Sequence, residues 1–462
     1  MASPGAIRAG AASTDITPRG HIQLAGAVGL YRPAKFVLDP LYARALVVEG
    51  EEERILLISL DLTIVTREHA DRIRRSVESQ TGIPFEAVMV HATQTHSAPS
   101  LGHFLIGEEF GPVPDEFDWI RGGDRRYWGY AEERILKCVE EAERSLSPLQ
   151  VAAGSGVEGR YAFNRRAVTR DGTVVMPGRR WEDPLGPTYI RYLEGPIDPE
   201  VGVVCFRDSS LNMRSLLVNY TCHPVHVFPK PVVSADWPGA LADEVKRFLG
   251  DSCVPIILNG ACGNINPWPP FDPDYADDHR LMGRALSKVV LRVMETLEFT
   301  QEAAVDYATK RIKIPLREVE GERLKWAEEK LRSQPSPAWR DERRESVDPE
   351  WVIAAGLLGL HRLRERQPHH EYEIQAFRIG DVAIVGLPGE PFVEGGLRIK
   401  LGSPTHPTYV VHCVNQYVGY IPTSDALKRG GHEAATSPWS RLVPEALDMI
   451  VDAALDLLTH LF

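Results

Sequence analysis

The clearest indication of the fold is the stretch Ala87-Val88-Met89-Val90-His91-Ala92-Thr93-Gln94-Thr95-His96-Ser97-Ala98-Pro99. Its first four residues are continuously apolar, which is typical of a strand covered on both faces. The polar residues and the proline that follow indicate that the chain leaves the sheet there. Gln94 and His96 have the same parity, so their side chains would point the same way if strand geometry continued. A histidine at a strand end is also common as a hydrogen-bonded core residue, so the stretch is informative only together with similar ones.

Four further strand-like runs end in chemically useful side chains. They end at Asn219-Tyr220-Thr221-Cys222-His223-Pro224-Val225-His226, Leu258-Asn259-Gly260-Ala261-Cys262-Gly263-Asn264-Ile265-Asn266-Pro267, Val385-Gly386-Leu387-Pro388-Gly389-Glu390-Pro391-Phe392 and Asn415-Gln416-Tyr417-Val418-Gly419-Tyr420-Ile421-Pro422-Thr423. Two or three imidazoles, one carboxylate and phenols from these segments are donors for a borderline-soft divalent metal. A water at an open position of such a metal has its pKa lowered towards neutrality. The sequence therefore predicts a metal site at the ends of several strands.

Some of these residues also have a purely structural interpretation. Glu390 lies one residue before Pro391 and would equally cap a helix that begins near Phe392. Tyr420 fits a core aromatic with a satisfied hydroxyl, and His226 fits a structural neighbour of the site. No GxSxG, GxGxxG or P-loop motif is present, so the sequence does not support a serine hydrolase or a nucleotide-binding protein.

Composition narrows the class of protein. The chain has 462 residues, 43% of them hydrophobic, and a formal net charge of −12 without a lysine or arginine run. Nucleic acid and anionic membranes are therefore poor partners by overall charge, and a small-molecule substrate is expected. The six cysteines show no Cys-x-x-Cys spacing, which favours reduced, mostly buried thiols. The first residues lack the apolar core of a signal peptide and no run is long enough to span a bilayer, so a cytoplasmic protein is expected.

Periodicity predicts an α/β fold of mixed, buried β-sheets flanked by helices. Predicted strands are 43–48, 55–62, 87–90, 201–206, 215–220, 254–258, 382–385 and 409–414, and 304–314 alternates like an antiparallel strand with one wet face. Helical spacing occurs at 67–78, 127–144, 351–363 and within 438–462. Two stretches, 102–126 and 168–195, are predicted to be long ordered loops. The charged stretch at about 318–370 is predicted to be a helical insertion in a single domain that spans 1–462.

Taken in order, these segments resemble the catalytic domain of the neutral/alkaline (non-lysosomal) ceramidases. The resemblance runs from Gly10-Ala11-Ala12-Ser13-Thr14-Asp15-Ile16-Thr17-Pro18 to the Tyr420 region. Members of that family are zinc amidohydrolases that split the N-acyl bond of ceramide, a sphingolipid. The resemblance implies one Zn²⁺ held by His223, Glu390 and Tyr420. It also implies that His96 is a catalytic residue beside the zinc and that Arg165, in the pair Asn164-Arg165, stabilises the amide oxyanion.

Three positions depart from the family pattern. Gln94 stands where the family has its first zinc histidine, and an amide carbonyl is a harder and weaker ligand than imidazole. Either Gln94 or His96 is then expected to complete the metal shell. Asn266 stands at the position of a serine important for activity, and His432 stands where a second family tyrosine is expected. His96 and His432 are the two candidates to carry the proton to the leaving amine.

The resulting prediction is a cytoplasmic, zinc-dependent amidohydrolase of the neutral ceramidase superfamily that acts on an acyl-amide substrate. The polar and aromatic composition of the two long loops favours a substrate more polar than ceramide. Two alternatives are a metal-poor binding protein on the same fold and an enzyme that acts on a polar, sugar-like substrate. Physiological metal, true substrate and oligomeric state are left open by the sequence.

Overall fold

Three mixed β-sheets form the centre of the protein. The computed structural model describes residues 5–177, 190–269 and 275–462. Each of the three sheets combines antiparallel pairs with one parallel pair at an edge. This arrangement confirms the predicted mixed α/β fold class.

The first sheet has five strands, and the other two have four strands each. In spatial order they are Val88–Ala92, Arg54–Leu60, Tyr42–Glu49, Arg8–Asp15 and Ser147–Pro148 in the first sheet; Val254–Asn259, Met213–Tyr220, Glu200–Arg207 and Gln150–Val157 in the second; and Thr408–Val411, Val382–Gly386, His369–Ile379 and Val305–Pro315 in the third. In each sheet the first two strands named are the parallel pair.

Shorter strands make local pairs around these sheets. The two-stranded pairs are Gly5–Ala6 with Glu302–Ala303, Phe36–Val37 with Val232–Val233, Phe163–Asn164 with Ile265–Asn266, and Glu390–Pro391 with Tyr420–Ile421. A small three-stranded sheet contains Ala167–Thr169, Val174–Val175 and Ile190–Leu193.

One face of each large sheet contributes to a shared apolar core. Leu57 of the first sheet, Leu217 of the second and Phe377 of the third are each at most 2% exposed and belong to one cluster. The long apolar runs in the sequence are explained by this arrangement, because the opposite face of each sheet is buried as well.

Helices cover the outer faces of the sheets. The described residues contain nine α-helices, at Arg67–Thr81, Arg125–Arg144, Asp236–Leu249, His279–Met294, Gly321–Ser333, Pro349–Arg366, Val393–Gly402, Ser424–Arg429 and Ala446–Leu461. The first two pack on the first sheet, the next two on the second, and Pro349–Arg366 and Ala446–Leu461 pack on the third. Within the described ranges no helix is both long and apolar enough to cross a bilayer.

The predicted insertion is helical but ends earlier than expected. It contains the helices Gly321–Ser333 and Pro349–Arg366, and the next strand already begins at His369. That strand pairs antiparallel with Val305–Pro315, whose residues are mostly only half-buried. This pair of strands is partly exposed to solvent. The first residues of the strand that begins at His369 are therefore polar, and no apolar run marks its start in the sequence.

Two further predictions need correction. The strand predicted at 409–414 ends at Val411, because Cys413 and Asn415 have left-handed backbone conformations with φ of 47° and 59°. The loop predicted at 168–195 holds strands of the small sheet, and its hairpin turns at Asp171-Gly172, where Gly172 has a φ of 87°. Residues 178–189 of that loop lie outside the described residues. The stretch predicted as a loop at 102–126 is a long connection with two short 3₁₀ helices, Glu108–Phe110 and Asp115–Arg121, and its last two residues already belong to the helix Arg125–Arg144.

Candidate active site

The five segments singled out in the sequence converge at one place. They follow the carboxyl ends of Val88–Ala92, Met213–Tyr220, Val254–Asn259, Val382–Gly386 and Thr408–Val411. All five strands belong to the parallel edge pairs of the three sheets, whose carboxyl ends meet around the shared core. Convergence of loops at strand ends is the usual origin of a binding site in an α/β fold.

A cavity of about 540 Å³ opens at this convergence. Seven of the eight candidate residues line it, namely Gln94, His96, Arg165, Asn266, Glu390, Tyr420 and His432. The eighth, His223, is fully buried beneath the cavity and reaches it through Glu390. The walls are mainly apolar and include Val28, Leu30, Ile64, Phe104, Leu105, Met176, Val225, Phe228, Trp268 and Trp439.

His223 and Glu390 form a buried pair. The Nε2 atom of His223 lies 3.0 Å from Oε2 of Glu390, and Nδ1 lies 3.0 Å from the carbonyl oxygen of Ile265. A carbonyl oxygen only accepts, so Nδ1 carries a proton and Nε2 faces the carboxylate. A cation that both atoms bind would stabilise this contact.

Glu390 is held as a carboxylate. Burial by itself would raise the pKa of Glu390, but hydrogen bonds from His223, Gln94 and Tyr417 and the charge of His223 lower it to about 2. Glu390 does not cap the following helix, which begins at Val393 with Phe392 as its N-cap and no side-chain cap. The structural interpretation of Glu390 as a helix cap is therefore wrong.

Two tyrosines flank the carboxylate. Tyr420 is the direct partner of Glu390 in the parallel pair of short strands, and its ring centroid is 6.5 Å from that of His223. Tyr417 donates its hydroxyl to Oε1 of Glu390 at 2.7 Å. Tyr417 was not predicted as a site residue from the sequence, although it lies in the same segment after a strand as Tyr420.

Gln94 and His96 approach the pair from the first sheet. Gln94 has a left-handed backbone with a φ of 68°, so the strand alternation expected for these two residues does not apply. Its side chain nevertheless comes close enough to Glu390 to help lower the pKa of that carboxyl group, and it lines the same cavity. The His96 ring lies 5.7 Å, centroid to centroid, from that of His223. Burial, and then the neighbouring His223, lower the pKa of His96 to about 3, which keeps the ring neutral at pH 7.

A glycine allows the chain to cover His96. Gly26 lines the cavity with a φ of 89°, and a Cβ atom at this position would lie 2.7 Å from Nδ1 of His96. The close approach and the left-handed backbone both require glycine at this position. Local sequence patterns do not reveal this contact between residues 70 positions apart.

Arg165 is fixed at the cavity by a buried acid. Its Nε donates to Glu433 at 2.7 Å, its Nη1 donates to Asn266 at 3.2 Å, and its guanidinium lies 5.2 Å from the Tyr420 ring. Burial would raise the pKa of Glu433, but Arg165 and Arg166 lower it to about 2. Glu433 was missed in the sequence, where only its neighbour His432 was noted.

His432 lies at the exposed side of the cavity. Its ring is 5.6 Å from the Tyr420 ring and stacks on Trp439 at 5.5 Å, measured between centroids. His226, by contrast, is buried and paired with Asp236 at 2.7 Å, in keeping with a structural neighbour. All six cysteines are free and buried, as expected.

The candidate ligands only partly match the residue types that usually bind a divalent metal. Within the described ranges, no group of three or more His, Cys, Asp and Glu side chains is arranged to hold a metal ion. The set implied by the resemblance contains just two such residues, His223 and Glu390, with a phenol and an amide as the others. The facing Nε2 and carboxylate oxygen at 3.0 Å are nevertheless the chemistry that a zinc ion prefers.

Comparison with solved structures identifies the fold. The crystal structure of neutral ceramidase from Pseudomonas aeruginosa matches with a TM-score of 0.71 and 17% sequence identity, over 98% of this chain and 75% of that chain. A structure described as ceramidase complexed with C2 matches with a TM-score of 0.71 and 16% identity, over 99% of this chain and 75% of that chain. No family model and no curated protein matches the sequence. The chain therefore has the fold of the neutral ceramidases, as the resemblance implied.

Proposed function

We propose that this protein is a zinc-dependent amidohydrolase that cleaves the N-acyl bond of an amide with an apolar acyl chain. The observation that carries the proposal is the buried His223–Glu390 pair beside Arg165 in an apolar-walled cavity. The two solved structures compared above are described as ceramidases, and ceramide is an N-acyl amide. That likeness supports an amide as the substrate class.

His223, Glu390 and Tyr420 would hold the ion, with Gln94 or His96 completing the set. A divalent ion bound there supplies Lewis acidity and lowers the pKa of water towards neutrality. The hydrogen bond from His223 Nδ1 to Ile265 orients the imidazole for this task. The hydroxyl of Tyr417 does the same for the Glu390 carboxylate.

Arg165 binds the carbonyl oxygen of the amide. Its Nη2 makes no hydrogen bond among the described residues, while Nε and Nη1 are held by Glu433 and Asn266. A donor fixed in advance stabilises the charge that develops on the oxygen in the transition state, by about 3 kcal/mol.

A histidine transfers the proton to the leaving amine. His96 lies next to His223, with 5.7 Å between the ring centroids, and its ring would take a proton and return it to the amide nitrogen. His432, at the exposed side, is the alternative donor.

The cavity walls favour an acyl chain over the polar substrate that the loop composition suggested. Phe104, Phe228, Trp268 and Trp439 are among the wall residues. Such walls exclude water and bury alkyl groups, at about 0.8 kcal/mol for each methylene. A sugar would find polar partners only among the candidate residues, and its hydroxyl groups that face the apolar walls would be left without partners.

The proposal is tested by measuring which substrates the zinc-loaded protein hydrolyses. The panel contains fluorogenic acyl amides, fluorogenic acyl esters and a labelled short-chain ceramide. We expect amide cleavage whose kcat/KM rises with acyl chain length. If no amide in the panel is cleaved by fully loaded protein, the proposal is wrong. Tight binding of the acyl compounds without turnover would instead favour the binding-protein alternative, which the presence of Gln94 in place of a histidine also favours.

Replacing Gln94 with histidine is expected to tighten zinc binding about tenfold or more, because imidazole is the better ligand for this ion. Histidine also tolerates the left-handed backbone found at this position, with its φ of 68°. Competition against a chelator measures the change. Gln80→His, on an exposed helical surface, controls for non-specific binding to an added imidazole. An affinity equal to wild type would show that another group, such as His96, completes the shell.

A further inference from the structure

An exposed apolar ribbon is formed by Phe36, Val37 and Leu38. These side chains are 60%, 48% and 42% exposed. They are consecutive, whereas the other large apolar side chains exposed among the described residues are separated along the chain. Since neighbouring side chains of a strand alternate in direction, the ribbon exposes apolar surface on both of its sides, and such a concentration of exposed apolar surface marks an interaction site.

The backbone holds the ribbon outwards. Phe36–Val37 pairs in parallel with the buried strand Val232–Val233. The amide of Lys35 donates to the Pro231 carbonyl at 3.0 Å, and the amide of Leu38 donates to that of Val233 at 2.9 Å. Since these hydrogen bonds fix the ribbon from both ends, its side chains cannot turn into the core without breaking them.

The ribbon adjoins the mouth of the cavity. Phe228 and Pro229 line the cavity and lead directly into the strand on which the ribbon is paired. Met176, which is 41% exposed, lines the same cavity. The partner strand of the ribbon therefore leads along the chain to the cavity wall, with the exposed Lys230 between them.

Two cationic side chains flank the ribbon. Lys35 and Lys230 are exposed, and neither forms an ion pair with another described residue. Asp39, which follows the ribbon in the chain, is engaged by His279 at 3.0 Å and Arg280 at 3.2 Å. The two lysines therefore carry charge that no described carboxylate pairs with, on a chain whose net charge is −12.

We propose that the ribbon docks this protein on the surface of an anionic phospholipid bilayer. Phe36, Val37 and Leu38 enter the boundary between headgroups and acyl chains, and the two lysines contact anionic headgroups. Three side chains are too small an area for a stable dimer, which buries about 1,200–2,000 Å², but they suit reversible membrane contact. Under the proposed function, on which this last point rests, an acyl amide passes from the bilayer into the adjoining cavity.

Co-sedimentation with lipid vesicles tests the docking. The full chain is mixed with vesicles of phosphatidylcholine containing about one fifth phosphatidylserine, and with vesicles of phosphatidylcholine alone. We expect binding to the mixed vesicles that weakens about tenfold in the Phe36→Ser/Leu38→Ser variant. The Lys35→Gln/Lys230→Gln variant is expected to bind the mixed vesicles more weakly, by about fivefold for each lysine, and its binding is expected to depend less on salt concentration.

Matched controls are Phe248→Ser and Leu401→Ser, which replace apolar side chains that are 56% and 89% exposed elsewhere. These are expected to bind vesicles like wild type. Three results would overturn the docking. The first is that wild type does not bind vesicles, the second is that the ribbon variants bind them as well as wild type does, and the third is that the ribbon supports self-association of the protein and no vesicle binding.

Hydrolysis of a soluble short-chain amide separates this inference from the proposed function. The ribbon variants are expected to keep wild-type rates on that substrate, because the ribbon does not line the cavity. If no variant hydrolyses any amide but vesicle binding still depends on the ribbon, the docking stands and the proposed function fails.

Discussion

Replacing His223 with alanine is expected to lower zinc affinity by more than about a hundredfold and to abolish amide hydrolysis. Loss of a residue that merely orients a metal ligand already costs 10–100-fold, and loss of the imidazole itself costs more. His223 is fully buried, and its Nε2 faces Glu390 at 3.0 Å, so no solvent-exposed group replaces it easily. Metal content after dialysis, together with rates at saturating zinc, measures both effects.

Two further variants make the result interpretable. His361→Ala removes a histidine from the helical insertion, where its side chain is 31% exposed, and is expected to leave zinc content unchanged. Glu390→Gln keeps the shape of the buried side chain and is expected to lose zinc as His223→Ala does. A folded His223→Ala protein that retains one zinc per chain would contradict the assigned ligand set.

The sequence predicted the sheets because the strands are buried on both faces. The strand Val254–Asn259, for example, is a continuous apolar run that packs between the shared core and the helix Asp236–Leu249. The convergence of the site was also predictable, since five apolar runs each end in polar side chains. Parallel strands bring such ends to one edge.

Contacts between distant parts of the chain were not predictable in this way. Arg165 meets Glu433 across 268 positions, and no local pattern connects them. Tyr417 and Tyr420 are the same residue type in one segment, so the sequence does not distinguish their roles. In the structure they differ because Tyr420 pairs with Glu390 and because the left-handed turn at Gly419 lies between them. The left-handed conformation of Gln94 likewise depends on its surroundings and not on its residue type.

Replacing Arg165 with alanine is expected to lower kcat for amide hydrolysis about 100- to 1,000-fold with little change in KM. The charge on the carbonyl oxygen develops only in the transition state, so a donor to that charge affects kcat and not substrate binding. Arg165→Lys is expected to recover part of the rate, because a single ammonium keeps the charge but not the fixed fork of donors.

Loss of stability is the competing explanation, because Arg165 is one partner of a buried ion pair. Removing one partner of such a pair usually costs about 3–5 kcal/mol by leaving an uncompensated charge. In this protein Glu433 keeps Arg166 at 2.8 Å, so we expect a smaller cost and a protein that still folds. The double variant Arg165→Ala/Glu433→Gln removes the residual charge, and its unfolding midpoint in urea reports whether stability is restored.

The decisive comparison is between rate and stability in these variants. Arg160→Ala serves as the control, since that arginine side chain is 74% exposed and pairs with Glu158 away from the cavity. We expect the double variant to regain stability without regaining kcat, because the donor to the oxyanion is still missing. If the double variant recovered kcat along with stability, Arg165 would support the fold and would not be the oxyanion donor. If Arg165→Ala changed only KM, Arg165 would bind the substrate and would not be the oxyanion donor.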